Sequence, residues 1–417
     1  MVRKRAVADR EDLPALQRRV VGTLVAGQIL GGLGIGATLS IGAVLATEVA
    51  RSDAFAGAAA TLSTLGAAAV AIPLARLAQR RGRRIALAVG TAASLAGAAG
   101  TVAATAVLSF PLLLLGFALL GCGVAVNLQS RFAATDIADP GRRGRDLSLV
   151  VWSTTIGSVV GPNLFGPGED LAQLLGMPPL TGSFAIAVVA QLAATIVYLV
   201  GLRPDPYLVS RRLQNAPVGG DPEGGVRARA LVVLAIAVLG VSHAVMVSVM
   251  SMTPVHLVHH GVALTAVGLT LSLHIAGMFA LSPLFGWLSD RVGRYATILC
   301  GQALFAASLV VLALGADDTA LVTVGLVLLG LGWSASTVAA SALLTDLVTG
   351  SARPRVQGRS DLAMNVAGAA GGALAGPVLA LVGYAGLAWA AGVLVLVLVA
   401  AVLTVPRSSA AAPMARA

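Results

Sequence analysis

Long apolar runs, separated by short polar or Pro/Gly-rich breaks, dominate this chain. A helix of about 20 apolar residues crosses the hydrocarbon core of a bilayer, and breaks rich in charge, proline or glycine end such runs. The runs divide into six before and six after a polar stretch at 203–229. The predicted spans, numbered 1 to 12, cover residues 20–47, 54–78, 85–107, 110–132, 147–167, 182–202, 230–252, 264–288, 295–316, 319–344, 362–383 and 385–405.

The composition supports a membrane protein and excludes a large soluble domain. Of the 417 residues, 57% are hydrophobic and only 11% are charged, which is too little polar surface for a water-soluble globule of this size. We therefore predict an all-α membrane protein of two six-helix bundles. Its predicted parts are an N-terminal tail at 1–19, a first bundle at 20–202, a connector at 203–229, a second bundle at 230–405 and a C-terminal tail at 406–417.

The basic residues predict the orientation. An even number of spans puts both termini on one face, here named the terminal face, and 27 of the 28 lysines and arginines lie there. Arg51 is the exception on the opposite face. The positive-inside rule makes the terminal face cytoplasmic, so we predict a multi-pass protein of the cytoplasmic (inner) membrane, surrounded by lipid. The net charge of +10 then reflects topology, and no nucleic-acid partner is expected.

Several enzymatic chemistries are excluded by residues that the chain lacks. Its single lysine, Lys4, lies in the N-terminal tail, which excludes a phosphate-binding loop with its lysine and an internal Schiff base. Cys122 and Cys300 lie in separate apolar runs without a paired motif, as expected of small buried side chains. We expect no enzyme activity and no bound cofactor.

The two halves of the chain repeat the same unit. Gln79 aligns with Asp290 at an offset of 211 residues, and the segment 146–162 aligns with 361–377 at an offset of 215. Parallel duplicated halves are the architecture of major facilitator transporters, which handle their substrate between the halves near the midplane of the bilayer.

A loop motif at the terminal face carries a resemblance to the major facilitator superfamily. The sequence over 286–294 reads Gly-x-Leu-x-Asp-Arg-x-Gly-Arg, which resembles the signature loop of that superfamily. Its carboxylate and guanidinium groups can pair across helix ends and hold one conformation closed. The residues of this predicted conformational latch are Gly286, Asp290, Arg291, Gly293 and Arg294, together with Arg80, Gly82 and Arg83 in the first half.

The first copy of the loop departs from the signature. Gln79 replaces the aspartate, so we expect the latch of the first half either to be weaker or to use another acid, such as Asp136 or Asp146. We also expect Arg131 to form an ion pair with Asp136.

Spans 5 and 11 contain a glycine-proline motif that resembles one associated with antiporters. Small residues at four-residue spacing let helices approach closely, and proline bends them, so we assign these residues to helix packing. The fourth-span arginine of drug/proton antiporters is missing here, since Phe117 stands at its place. The predicted packing residues are Gly157, Gly161, Pro162, Gly376 and Pro377.

Soft metal ligands concentrate in spans 7 and 8. All five histidines lie between residues 243 and 274, and four of the eight methionines lie between 246 and 278. Thioethers and imidazoles favour Cu(I), and a histidine inside the membrane is functional by default. The predicted metal path consists of His243, Met246 and Met250 in span 7, with Met250 at the outer mouth, and His274 and Met278 in span 8. Predicted outer collecting residues are Met252 and, in a short loop, His256, His259 and His260.

These motifs carry a closer resemblance. Met-x3-Met at 246–250 and His-x3-Met at 274–278 are similar to the signature of the CcoA-like copper transporter (Calt) family. The resemblance implies import of a copper ion or small copper complex by alternating access, with Met246, Met250, His274 and Met278 handling the metal. We expect a monomer.

An alternative function is a proton-coupled exporter of small amphipathic organic compounds. Copper importers of this kind also use cysteines, and neither cysteine of this chain lies in span 7 or 8.

Overall fold

The computed structural model describes residues 13–52, 55, 58–214, 226–348 and 350–404 as a succession of helices. Residues 1–12 of the predicted N-terminal tail (1–19), which include Lys4, lie outside these residues, as do residues 215–225 of the connector, Val405 and the predicted C-terminal tail at 406–417. Residues 13–19 of the predicted N-terminal tail are helical. The helices up to the connector are α1 Leu13–Ala50, α2 Ala58–Arg81, α3 Arg83–Ala106, α4 Phe110–Ala133, α5 Arg143–Asn163, α6 Phe165–Leu174 and α7 Gly182–Gly201. Those that follow are α8 Pro206–Gln214, α9 Val226–His259, α10 Leu264–Phe279, α11 Ser282–Arg291, α12 Arg294–Leu314, α13 Thr319–Leu347 and α14 Arg353–Thr404.

Nine helical segments within the described chain are long and apolar enough to cross a membrane. The last of them, α14, contains both predicted spans 11 and 12, and Gly383 at φ 70° interrupts its helical geometry between them. Glycine adopts this left-handed region without the steric cost that a side chain adds. The count of twelve spans and the cytoplasmic position of the termini stay predictions.

Span 8 is broken, contrary to the prediction of one helix over 264–288. Helix α10 ends at Phe279, and after a gap of two residues α11 begins at Ser282 with Pro283 in its first turn. Proline has no backbone N–H and its ring clashes with the carbonyl four residues earlier, so it favours the start of a helix over its interior.

Span 7 is longer than predicted. Helix α9 continues to His259, seven residues beyond the predicted end, and it tolerates Pro254 in its interior. Packing stabilises the extra turns, because Leu257 is buried and the ring of His256 hydrogen-bonds to the Ala316 carbonyl at 2.7 Å. His256 and His259 therefore lie on the helix, and the prediction that they occupy a loop is wrong.

Each half has its own hydrophobic core. The first half contains one cluster around Tyr198 and another around Phe117, while a large cluster around Phe305 fills the second half. A smaller cluster joins the halves through Leu147, Val151, Val338 and Phe279.

One predicted packing glycine lies at a close helix contact. A Cβ added at Gly157 would lie 2.7 Å from the Cα of Gly32, so α1 and α5 touch through their backbones. Gly161 and Pro162 belong to α5, but the surroundings of their side chains lie outside the described residues.

The glycine-proline motif of α14 does not lie at a close helix contact in the described chain. A Cβ at Gly376 would meet no described atom within 4 Å, and Pro377 follows it inside the helix. Helix α14 instead approaches α9 closely at Gly371, where a Cβ would lie 2.7 Å from the carbonyl oxygen of Ala244.

These contacts predict opposite effects for two matched substitutions. Gly157→Ala should lower the melting temperature of the purified protein, because the added methyl group overpacks the contact with Gly32 at a cost of about 1–3 kcal/mol. Gly376→Ala should leave the melting temperature unchanged or raise it slightly, since alanine favours a helix by about 0.5–1 kcal/mol over glycine. Equal destabilisation by both substitutions would contradict the assigned contact.

Candidate functional site

The four residues of the Met-x3-Met and His-x3-Met motifs lie at two matching depths. Helices α9 and α10 are joined by the turn at 260–263, and both pack on α13. At 1.5 Å of rise per residue, Met250 and His274 lie about 14 and 15 Å from this turn, and Met246 and Met278 about 20 and 21 Å. The prediction that Met250 lies at the outer mouth is wrong, because α9 extends seven residues farther.

Burial excludes water from most of this set. His274 is fully buried, Met246 and Met278 are nearly so, and Met250 is half-buried. Met246 and Met278 belong to the large hydrophobic core of the second half. Three of the four side chains are therefore shielded from solvent, and Met250 is the partly accessible one.

Helix α13 fixes the orientation of the His274 imidazole. Its Nδ1 lies 2.7 Å from the carbonyl oxygen of Leu326. A carbonyl only accepts hydrogen bonds, so Nδ1 carries the proton, and Nε2 of the neutral ring carries the lone pair. Nε2 is buried and has no hydrogen-bond partner among the described residues. Metal-ligating histidines are typically oriented in this way, with the other ring nitrogen donating to a carbonyl.

His243 has the opposite arrangement. The indole Nε1 of Trp333 donates to Nδ1 of His243 at 3.1 Å, so the lone pair of Nδ1 is already engaged and Nε2 carries the proton of the neutral ring. The ring also packs against α14, where a Cβ at Gly368 would lie 2.6 Å from it. Of the two histidines predicted within the spans, His274 presents the free lone pair.

The outer histidines line a cavity of about 460 Å³ on the opposite face. His256 stacks on Tyr384 with ring centroids 4.2 Å apart, and His259 and His260 are exposed beside it. Asp317, from the turn between α12 and α13, lines the same cavity. Met252 is half-buried on α9 and does not line it.

Histidines, cysteines and acids do not form a complete metal site in the part of the chain that the structure describes. No group of three or more of these side chains there has an arrangement that could hold a metal ion.

The terminal face joins the two halves through Asp290. Its two carboxylate oxygens accept hydrogen bonds from the backbone N–H groups of Gly144 and Arg145, at 2.9 and 2.8 Å. These donors belong to the first turn of α5, where N–H groups lack partners within the helix and the helix dipole favours an anion. Gly286 brings α11 against this turn, because a Cβ there would lie 2.5 Å from the Gly144 carbonyl oxygen.

Asp346 links further residues of the same face. It accepts hydrogen bonds from Arg143 of the first half at 2.7 Å and from Arg294 of its own half at 3.0 Å. Arg294 also pairs with Asp290, while the neighbouring signature residue Arg291 is exposed. Gly293 has φ 108°, which allows the chain to turn from α11 into α12.

The first half uses different acids at the equivalent place. Arg83 forms a buried ion pair with Asp136 at 2.8 Å and also donates to Gln357 of α14. At the start of α3, Asp205 accepts from the backbone N–H of Arg84 at 2.8 Å, a role that sequence reasoning missed.

Two other predicted latch residues flank this region. Gly82, with φ 88°, leaves room for the Asp205 carboxylate, whereas Arg80 is exposed.

The predicted pairing of Arg131 with Asp136 is wrong. Arg131 instead forms a buried ion pair of 2.9 Å with Asp361 of α14, and this pair crosses between the halves. Asp136 is already held by Arg83, so both arginines have a carboxylate partner. Both ion pairs that join the halves in the described chain, Arg131 with Asp361 and Arg143 with Asp346, lie toward the terminal face.

Polar side chains of the first half meet one another inside the bundle. Asn127 donates to Thr154 at 3.1 Å, and Gln191 donates to Ser94 at 3.1 Å. Gln28, Asn127 and Gln191 line one small cavity. Hydrogen bonds of this kind join helices where water is absent.

Comparison with known proteins gives the family. The sequence matches the profile of the Major Facilitator Superfamily over residues 24–269 and 234–416. It is 38% identical over 396 residues to YddS, an uncharacterised MFS-type transporter of Bacillus subtilis (strain 168), covering 93% of this chain and 91% of the relative. It is 29% identical over 408 residues to the riboflavin transporter RfnT of Brucella anthropi, covering 96% and 99%.

A solved transporter structure shares the fold of this chain. The crystal structure of the human organic anion transporter MFSD10 (TETRAN) matches with a TM-score of 0.76 at 15% identity, covering 93% of this chain and 99% of that one. Members of this family are transporters rather than enzymes. The chain is a multi-pass membrane protein that belongs to the Major Facilitator Superfamily.

Proposed function

We propose that this transporter imports copper by alternating access, with the ion handled by Met246, Met250, His274 and Met278. The observation that carries the proposal is the orientation of His274, whose buried Nε2 lone pair has no partner in the described chain. Other buried side-chain atoms of the described chain also lack a partner, but Nε2 of His274 is the one imidazole nitrogen among them, and a neutral imidazole nitrogen is a common metal ligand. A soft cation that binds Nε2 would satisfy it.

The surrounding ligands favour Cu(I) among the metals. Thioethers bind without losing a proton and select soft ions over calcium, magnesium or manganese. Met250 lies near the depth of His274, and Met246 lies near the depth of Met278. A cation that leaves Met250 and His274 therefore has the thioethers of Met246 and Met278 about 6 Å deeper. A single positive charge with neutral ligands is easier to accommodate in this dry interior than a divalent ion.

The contacts between the halves support entry from the opposite face. Asp290 and the two ion pairs between the halves hold the terminal face together. If that face is cytoplasmic, as the positive-inside rule predicts, this conformation receives its cargo from outside. Separation of the halves at the terminal face would then release the cargo inward.

An organic cargo is the second candidate. Its support is the full-length similarity to the riboflavin transporter RfnT, at 29% identity, together with the polar side chains Gln28, Asn127 and Gln191 around one cavity of the first half. Such groups can orient an amphipathic compound by hydrogen bonds. Proton-coupled export of small amphipathic organic compounds is one form of this second candidate.

The copper proposal predicts loss of uptake without loss of folding. His274→Ala and Met278→Leu should each reduce copper accumulation at least tenfold in cells that express the chain, measured by mass spectrometry of cell copper. Leucine conserves the volume of methionine and costs less than about 1.5 kcal/mol, so Met278→Leu removes the ligand while the protein still reaches the membrane.

Matched variants decide between the candidates. His243→Gln and Met177→Leu should retain copper uptake, because neither side chain belongs to the proposed ligand set. Full copper uptake in both His274→Ala and Met278→Leu would overturn copper import. Saturable riboflavin uptake that these two substitutions leave unchanged would favour the organic cargo instead.

The role of Asp290 predicts a change in conformation. Asp290→Asn removes the charge that holds the first turn of α5, and hydrogen bonds to charged groups contribute about 1.5–3 kcal/mol. The terminal face should then open more often. Val338 is buried between the halves, so the thiol of a Val338→Cys variant reports on opening. It should react about tenfold faster with a water-soluble maleimide when Asp290→Asn is also present than when Asp290 is retained. This test uses a Cys122→Ala, Cys300→Ala background.

The control for this experiment is Asp139→Asn. Asp139 is exposed on the same face and bonds only locally, to the N–H of Gly141 in the described chain. It should leave the labelling rate unchanged. Equal rates in the Asp290→Asn and unsubstituted proteins would show that Asp290 does not hold this face closed.

A further inference from the structure

A histidine and an aspartate face each other on the opposite face, outside the ligand set of the copper path. Nε2 of His260, in the turn after α9, lies 3.5 Å from Oδ1 of Asp317, in the turn between α12 and α13. Both side chains are accessible, and both line the 460 Å³ cavity with His256 and His259. The pair connects two elements that are far apart in sequence.

The hydrogen bonding of His260 leaves two acceptors facing each other. Its Nδ1 lies 2.9 Å from the carbonyl oxygen of His256 and must donate to it. In the neutral ring, Nε2 therefore presents a lone pair toward a carboxylate oxygen. Two acceptors at this distance repel unless a proton or a cation lies between them.

The separation suits a metal better than a hydrogen bond. Charge-assisted N–H···O bonds have N···O distances of about 2.7–2.9 Å, and 3.5 Å is well beyond that range. A tetrahedral ion with bonds of about 2.0–2.1 Å to nitrogen and about 2.0–2.2 Å to oxygen places the two ligand atoms about 3.4 Å apart.

The surrounding charge also favours a cation. Arg51, in the first half, is the one lysine or arginine that the sequence assigns to this face, whereas six acidic residues lie there. Asp318, beside Asp317, caps the start of α13, where its Oδ1 accepts hydrogen bonds from the N–H groups of Ala320 and Leu321. Asp317 is the acid that faces the imidazole.

We propose that His260 and Asp317 form a binding site for one divalent transition-metal ion of the Zn(II) or Cu(II) class. The protein supplies one nitrogen and one oxygen ligand, and water from the cavity completes the coordination. Two protein ligands give a site that exchanges its ion readily. A bound ion ties the end of α9 to the turn between α12 and α13. The site differs in chemistry from the thioether path and does not depend on the identity of the cargo.

The test is a Zn(II) titration of the purified, metal-free, full-length protein in detergent, followed by calorimetry. The unsubstituted protein should bind one Zn(II) at this site. His260→Ala and Asp317→Asn should each weaken this binding at least tenfold, because each removes one of two protein ligands. Both positions are exposed, so the variants should fold normally, which their unchanged melting temperatures without metal would verify.

Three further arms give the experiment its specificity. Asp318→Asn and His274→Ala should bind Zn(II) as the unsubstituted protein does, and Mg(II) should not compete, because it prefers an all-oxygen site. Binding should weaken in acid, since an imidazole must lose its proton to bind a metal. His274→Ala also separates this site from the copper path: loss of copper uptake with retained Zn(II) binding leaves both proposals intact.

Two outcomes would contradict the proposed site. Undiminished Zn(II) affinity in both His260→Ala and Asp317→Asn would place the ion elsewhere and overturn the site. Absence of Zn(II) binding in the unsubstituted protein would mean that the pair holds only a proton, as an ordinary ion pair.

Discussion

The pairing of charged groups across the two halves at the terminal face is the interaction on which the conformation of this protein depends. Burying a charge in a dry helical bundle is costly unless the charge is paired, and removing one partner of a buried ion pair costs about 3–5 kcal/mol. Arg131 with Asp361 and Asp290 with the first turn of α5 both draw one member from each half. Separation of the halves therefore requires new partners, or water, for all of them at once.

The duplication of the chain did not produce a symmetric latch. Asp290 contacts the start of α5, whereas its counterpart Gln79 carries no charge, and the first half uses Asp136 and Asp205 near α3. The repeat also relates Asp146 to Asp361. Asp146 accepts a hydrogen bond from Gln17 of its own half, but Asp361 pairs with an arginine of the other half. Equivalent positions thus stabilise different contacts in the two halves.

Sequence periodicity predicts the helical fold well because apolar runs and charged breaks reflect a local requirement. It predicts helix ends less well. Pro254 looks like the end of α9, yet tertiary contacts of Leu257 and His256 carry the helix to His259. Pro283 lies inside a continuous apolar run, yet it starts a new helix.

In the candidate site, too, the sequence predicts some features and not others. The spacing of Met246 with Met250 and of His274 with Met278 is readable from the sequence, because residues four apart share a helix face. The tautomers that distinguish His274 from His243 are not, since they depend on the Leu326 carbonyl and the Trp333 indole of another helix. The partner of Arg131 was missed for the same reason, because it comes from the other half of the chain.

The two-residue break between α10 and α11 separates two mechanical parts of the second half. His274 and Met278 lie on the segment before it, and Gly286 and Asp290 lie on the segment after it. A continuous helix would behave as a stiff rod, so that any tilt at Asp290 would be transmitted in full to Met278 and His274, about 18 and 24 Å away. A jointed helix absorbs part of that tilt at 280–281. The ligand-bearing segment can then keep its alignment with α13 while its neighbour follows the movement of the first half.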